Sequence, residues 1–231
     1  EQCAWCLSNI AGDCAELRDF VIEAGALQPL LQNVVQPASI AVLRTAVWAL
    51  SNFCRGKPQP LLETTLPALP VLARTLNQSD KDVLMHSCWA LSYLSDGDDN
   101  HIDAVVNNNV CPRLAQLLSH SSAQVITPAL RTIRSIVSGS DIHIQAVLDS
   151  GALTNILSLL SHSKMSIRKE ACCTVSNVAA GSSDQISVLV GFPQLLAGVV
   201  TQLKYGEYEV QREAAWAVSN IITGLGGKEA I

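Results

Sequence analysis

Two positions four residues apart, most often Trp followed by Asn, return along this chain at a nearly constant interval. No other feature restricts the fold as much. The pair reads Trp5/Asn9, Trp48/Asn52 and Trp216/Asn220, and between these the same slots hold Trp89/Tyr93, Arg131/Ser135 and Cys173/Asn177. The first slots, at 5, 48, 89, 131, 173 and 216, are separated by 43, 41, 42, 42 and 43 residues. A glycine trails each rung at a similar phase: Gly12, Gly56, Gly97, Gly139, Gly181 and Gly224. Positions i and i+4 share one face of an α-helix, so each rung shows both side chains together. A repeat of this length with helical texture predicts supersecondary units that stack and bury their apolar faces on one another. Stacking would then line the rungs into one strip.

Punctuation inside the repeat predicts a short first helix, a second helix and a longer third helix. Second helices are heralded by Gly25-Ala-Leu-Gln-Pro-Leu-Leu31, Val110-Cys-Pro-Arg-Leu114 and Gly151-Ala-Leu-Thr-Asn155, where Gly or Pro precedes an apolar run. Third helices are expected over 43–53, 83–94, 126–137, 167–178 and 210–222, with Leu, Ala, Val and Ile at helical spacing. This is the pattern of an all-α solenoid of the armadillo or HEAT type. The expected repeats are 16–58, 59–99, 100–141, 142–183 and 184–226, with 1–15 a partial repeat and 227–231 opening the next. Both ends cut the repeat, so the chain is expected to be a piece of a longer protein.

Hydrophobic residues make up 48% of the 231 residues but aromatic ones only 4%, so the core must be built from Leu, Ala, Val and Ile. All four Trp residues occupy the first slot, which gives that slot a task beyond packing. The net charge of -5 and the lack of a basic stripe argue against nucleic acid as the partner. Eight cysteines are present, and Cys3-x-x-Cys6 lies within the helix that carries Trp5. No second CxxC or paired His completes a zinc site, so the cysteines are expected to be core thiols in a reducing compartment. No apolar run reaches transmembrane length. No phosphate loop, nucleophile elbow or paired metal motif is present, so neither catalysis nor a cofactor is expected.

A single Trp in an apolar helix is ordinarily core, but Asn one turn later needs hydrogen-bond partners and is a poor helix former. Its amide offers a donor and an acceptor, enough to hold the backbone of an extended peptide without reading its sequence. Trp walls accept long aliphatic stems and face a cationic head with their π-clouds. Asp13, Glu170 and Glu213 flank the strip and would select positive charge. The residues together predict a receptor for an extended, Lys/Arg-rich segment.

Ala46-Val-Trp-Ala-Leu-Ser-Asn-Phe-Cys-Arg-Gly-Lys57 closely resembles the fourth armadillo repeat of the importin-α family of nuclear-import adaptors. Trp5-Cys-Leu-Ser-Asn-Ile-Ala-Gly-Asp13 looks like the end of the third repeat. Cys88-Trp-Ala-Leu-Ser-Tyr-Leu-Ser-Asp-Gly97 looks like the fifth, with Tyr in the Asn slot, and Pro128-Ala-Leu-Arg131 like the sixth, with Arg in the Trp slot. Lys169-Glu-Ala171 and Gln211-Arg-Glu-Ala-Ala-Trp-Ala-Val-Ser-Asn220 are similar to the seventh and eighth. The resemblance implies a right-handed superhelical armadillo solenoid and an adaptor that shuttles between cytoplasm and nucleus. It implies a major site for nuclear localisation signals at Trp5, Asn9, Asp13, Thr45, Trp48 and Asn52, with Asp13 holding the principal lysine. Trp89 and Tyr93 would lie in the middle. A minor site would use Arg131, Ser135, Glu170, Cys173, Ser176, Asn177, Glu213, Trp216 and Asn220. Importin-β, through an N-terminal segment, and an export factor, through later repeats, are the other implied partners; both segments are absent from this sequence. Neither a membrane nor nucleic acid is implied.

This sequence departs from the family at Ser135 in an Asn slot, Cys173 in a Trp slot, Ile144 in place of Thr and His86 in place of Asp. Three of these fall in or near the minor site and imply a weakened one. The alternative is another armadillo scaffold of the catenin kind, whose grooves are lined by Lys, Arg and His rather than Trp and Asn.

Overall fold

The computed structural model describes residues 1–226, which form helices and connecting turns with no strand among the described residues. The expected opening of a further repeat at 227–231 lies outside them. The chain divides into two compact units, Glu1–Arg113 and Leu114–Ile231.

The first unit begins with α1 (Gln2–Asp13) and continues with α2 (Ala15–Glu23), α3 (Leu27–Val35) and α4 (Ile40–Phe53). A second triplet follows: α5 (Leu62–Thr65), α6 (Ala68–Thr75) and α7 (Lys81–Leu94). After α8 (Asp99–Val106), the division between the units falls inside α9 (Cys111–Leu117). The rung-bearing helices pack in series, α1 on α4 and α4 on α7, while α3 and α6 back onto α4 and α7.

The second unit contains α10 (Ala123–Ile136) and two triplets. These are α11 (Asp141–Asp149), α12 (Ala152–Leu159), α13 (Met165–Val178), then α14 (Ser183–Val190), α15 (Pro193–Tyr205) and α16 (Tyr208–Gly224). Here α10 packs on α13 and α13 on α16, backed by α12 and α15. Among the described residues no single helix is long and apolar enough to cross a membrane.

Long third helices start two or three residues earlier than the apolar pattern predicts, at Ile40, Lys81, Ala123, Met165 and Tyr208. The pattern marks the first buried side chain, whereas the helix starts at its cap. Ser39 accepts from the Val42 N–H, Asp80 from the N–H groups of Asp82 and Val83, and Ser122 from that of Gln124, each satisfying amides that the first turn leaves unpaired. Two residues before the five later first slots, Ala46, Ser87, Ala129, Ala171 and Ala214 are completely buried. Small side chains there allow the helices that carry the rungs to pack closely. The Asp98 and Ser182 side chains cap α8 and α14 in the same way, the latter in a capping box with Gln185.

The cysteines do not all behave as core thiols. Cys54, Cys88 and Cys172 are buried, and burial pushes each thiol up to about 12; Cys111 rises to about 11. Cys3, Cys6 and Cys14 are exposed, a correction to the sequence reading. Helix α1 packs on α2 and α4, and Cys3 and Cys6 lie away from those contacts.

Candidate functional site

In the first unit, the packing of α1 on α4 brings two first-slot residues together. The rings of Trp5 and Trp48 meet edge to face, with centroids 5.8 Å apart and planes at 79°. An edge contact of this kind is favoured by the ring quadrupoles and leaves ring faces uncovered; Trp5 is 52% exposed. On α7 the Tyr93 ring, which stands in the Asn slot, stacks on Trp89 at 5.7 Å and 22°.

Asn52 has an internal task that the sequence reading did not foresee. It is 8% exposed, and its Nδ2 donates to the Ser8 carbonyl at 3.1 Å and to the Ser8 hydroxyl at 3.0 Å. The rung therefore bolts α4 to α1. Gly12 belongs to the same joint, because a Cβ there would stand 3.0 Å from Asn52 Nδ2. Asn9 and Asp13 are exposed. A carboxylate at the last residue of α1 meets the negative end of the helix dipole, an unfavourable position without a cationic partner. Thr45 back-bonds to the Ala41 carbonyl at 3.0 Å. His86 is half-buried, and burial holds its imidazole below the usual range, with Asp82 opposing.

The second unit repeats the joint. Asn220 Nδ2 donates to the Ser176 carbonyl at 3.0 Å and approaches its hydroxyl at 3.4 Å, while Asn177 Nδ2 reaches the Arg134 carbonyl at 3.4 Å. Trp216 is 59% exposed and Arg131 half-buried, whereas Ser135 and Ser176 are buried. The two acidic residues that flank the strip in this unit already have basic neighbours: Arg134 Nε lies 2.7 Å from Glu170 Oε2, and Arg212 Nη2 lies 2.9 Å from Glu213 Oε1. Cys173 is partly buried, and burial raises its thiol. Ile144 is a core residue, 3% exposed, whose Cδ1 would lie 3.0 Å from a Cβ on Gly181. Among the described residues no three His, Cys, Asp or Glu side chains cluster to hold a metal ion.

Sequence reasoning missed two kinds of residue. Arg18 is fully buried; it pairs with Asp19 and donates through Nη1 to the carbonyls of Arg55 at 2.8 Å and Pro58 at 2.9 Å. It thereby fixes the loop after α4, where Gly56 adopts φ +111°. Its position on the Ala15/Arg18/Val21 stripe was the available signal. The other kind comprises ion pairs between successive third helices: Arg44 with Asp80, Arg168 with Glu207 and Lys169 with Glu209.

The pattern of helix triplets has known counterparts. The Armadillo/beta-catenin-like repeat family matches residues 14–55, 98–138 and 140–180, together more than half of the chain. The chain belongs to the armadillo-repeat family. A HEAT-like repeat also matches residues 40–94. Among curated armadillo relatives, importin subunit alpha-1b of Oryza sativa subsp. japonica is 51% identical over 113 residues, covering 49% of this chain and 21% of that protein. Importin subunit alpha-2 of Arabidopsis thaliana is 50% identical over 113 residues with the same coverage. The matched stretch thus spans about a fifth of the length of these relatives. Among solved structures, a designed armadillo repeat protein in complex with peptide (KR)4 aligns with a TM-score of 0.87 at 28% identity, covering 94% of this chain and 91% of that one. An engineered protein aligns with a TM-score of 0.90 at 29% identity, covering 97% and 54%. In armadillo terms, α2–α3–α4, α5–α6–α7, α11–α12–α13 and α14–α15–α16 are the helix triplets of single repeats, with the rung on the third helix of each.

Proposed function

We propose that this chain holds extended, Lys/Arg-rich segments of cargo proteins along the rung faces of its third helices, as part of a nuclear-import adaptor moving between cytoplasm and nucleus. The observation that carries this reading is the Trp5/Trp48 pair, half-open and edge-on, with exposed Asp13 one helical turn beyond Asn9 on the same helix. Aliphatic stems lie against the indoles, and a carboxylate without helix-dipole support awaits an ammonium. Two similarities support it: relatives named importin subunit alpha, and a designed armadillo protein that holds a Lys/Arg peptide. The reading makes the chain a binding scaffold rather than an enzyme. It gives the whole protein importin-β and a recycling export factor as further partners, through segments other than these faces.

The test is calorimetric titration with a Lys/Arg-rich peptide and its alanine-substituted control. Trp48→Ala is expected to weaken binding by about 1–3 kcal/mol, as for a central aromatic anchor. Asp13→Lys is expected to nearly abolish it in the first unit, and added salt to weaken it in the unaltered protein. Equal affinity for the alanine control, or none lost in Trp48→Ala, would sink the reading.

A further inference from the structure

Three residues after each first slot the chain carries Ser, at Ser8, Ser51, Ser92, Ser176 and Ser219, but in α10 it carries Arg134. The serine is part of the inter-helix bolt: Ser8 and Ser176 each present a carbonyl and a hydroxyl to the Asn of the next rung. Where Arg134 replaces it, Asn177 keeps only the carbonyl, at 3.4 Å. The guanidinium turns instead to α13 and sets Nε 2.7 Å from Glu170 Oε2. Both atoms are shielded from solvent, and neither has an aligned hydrogen bond to any group, so the contact is ionic. Cys173 lies one turn beyond Glu170, and its thiol is acted on by Arg134, Glu213 and Glu170, which puts all four in one neighbourhood. The short Cys173 side chain leaves room for the guanidinium where an aromatic residue would bring a ring.

We propose that Arg134 is an internal basic ligand, occupying on the α10–α13 face the acidic position that an incoming Lys or Arg would otherwise take. This deepens the basic-segment reading and rests on it. Arg134 makes the second unit selective: a basic side chain at this position must displace a cation already tethered there, whereas a neutral one leaves the pair in place. The tethered group loses no translational freedom on pairing, so it competes well with a free cation of the same chemistry. Arg212 beside Glu213 is a weaker case, since its side chain is half-exposed and adjacent in sequence, free to turn to solvent.

The experiment titrates a Lys/Arg-rich peptide into the full chain and into Arg134→Ser, Arg134→Gln and Arg134→Lys. Binding in the second unit is identified as the component that Trp216→Ala removes. Arg134→Ser, which restores the residue of the other rungs, and Arg134→Gln are both expected to tighten that component at least about fivefold, about 1 kcal/mol. Arg134→Lys should stay near the unaltered value, and Glu170→Gln added to Arg134→Ser should cancel the gain. No tightening in either neutral variant, or an equal gain in Arg134→Lys, overturns the proposal. The component removed by Trp48→Ala reports the basic-segment reading on its own, so failure of one is not mistaken for failure of the other.

Discussion

The amide of Asn52 shows how one residue can be placed by the fold before it is available to a ligand. Its two N–H donors go to Ser8, so what it offers an incoming backbone without breaking that joint is its acceptor. The periodicity revealed the slot, and the helix geometry showed that Trp and Asn share a face. The direction of the donors was not legible, because their partner lies 44 residues earlier and is fixed by stacking. Asn52→Ala is therefore expected to lower the stability of the first unit as well as its affinity. Two buried hydrogen bonds to the Ser8 carbonyl and hydroxyl are lost, a cost of roughly 1–3 kcal/mol. Asn9, exposed on α1, has no such joint, and Asn9→Ala should shift stability by no more than about 0.5 kcal/mol. Denaturant unfolding of the two variants checks this; equal losses would show that the Asn52 joint contributes nothing.

Between elements, stacked third helices are tied by charges that no short motif displays. Asp80 caps α7 and also receives Arg44 of α4 through Nη2 at 2.6 Å and Nε at 3.1 Å. The Arg44 hydrogen bond leads the effects that hold the Asp80 carboxyl below its usual range, against a smaller opposing effect of burial. Because the folded value lies below the unfolded one, the fold favours the ionised form. That contribution is complete above about pH 4, the ordinary Asp value, and is lost as the pH falls through the lower folded value. Unfolding midpoints should therefore drop as the pH falls below about 4 more steeply in the unaltered protein than in Asp80→Asn, which has no such proton to take up; parallel curves would refute the link. The third helices and their order were readable because apolar spacing is local. Starts were misjudged by two or three residues because caps such as Ser39 and Asp80 are polar and precede the apolar stripe. The ion pairs Arg44–Asp80 and Arg168–Glu207 escaped notice because they join residues a repeat apart.

Across the whole molecule the two units present unequal rung faces for the basic segment proposed above. The first has the Trp5/Trp48 pair and exposed Asp13; the second keeps Trp216 but has Cys173 in an aromatic slot and Glu170 already facing Arg134. Cys173 offers no π-face for a cationic stem, a loss of about 0.5–2 kcal/mol. Ser135, in an Asn slot, is buried and offers a hydroxyl in place of an amide. These differences were legible as departures from the repeat, but the contribution of Arg134 was not, since its partner lies on the next third helix. A segment with two Lys/Arg clusters should consequently bind less than about a hundredfold better than one with a single cluster, a gain below about 2.7 kcal/mol. Cys173→Trp combined with Arg134→Ser should enlarge that gain, because the pair restores an aromatic wall and uncovers Glu170 together; their contact means the two effects need not add. Titration of both peptides against both proteins decides the matter. If the unaltered chain already gains a hundredfold or more from the second cluster, its second unit accepts basic side chains at full strength despite Cys173 and Arg134, and the inequality between the faces has no consequence for binding.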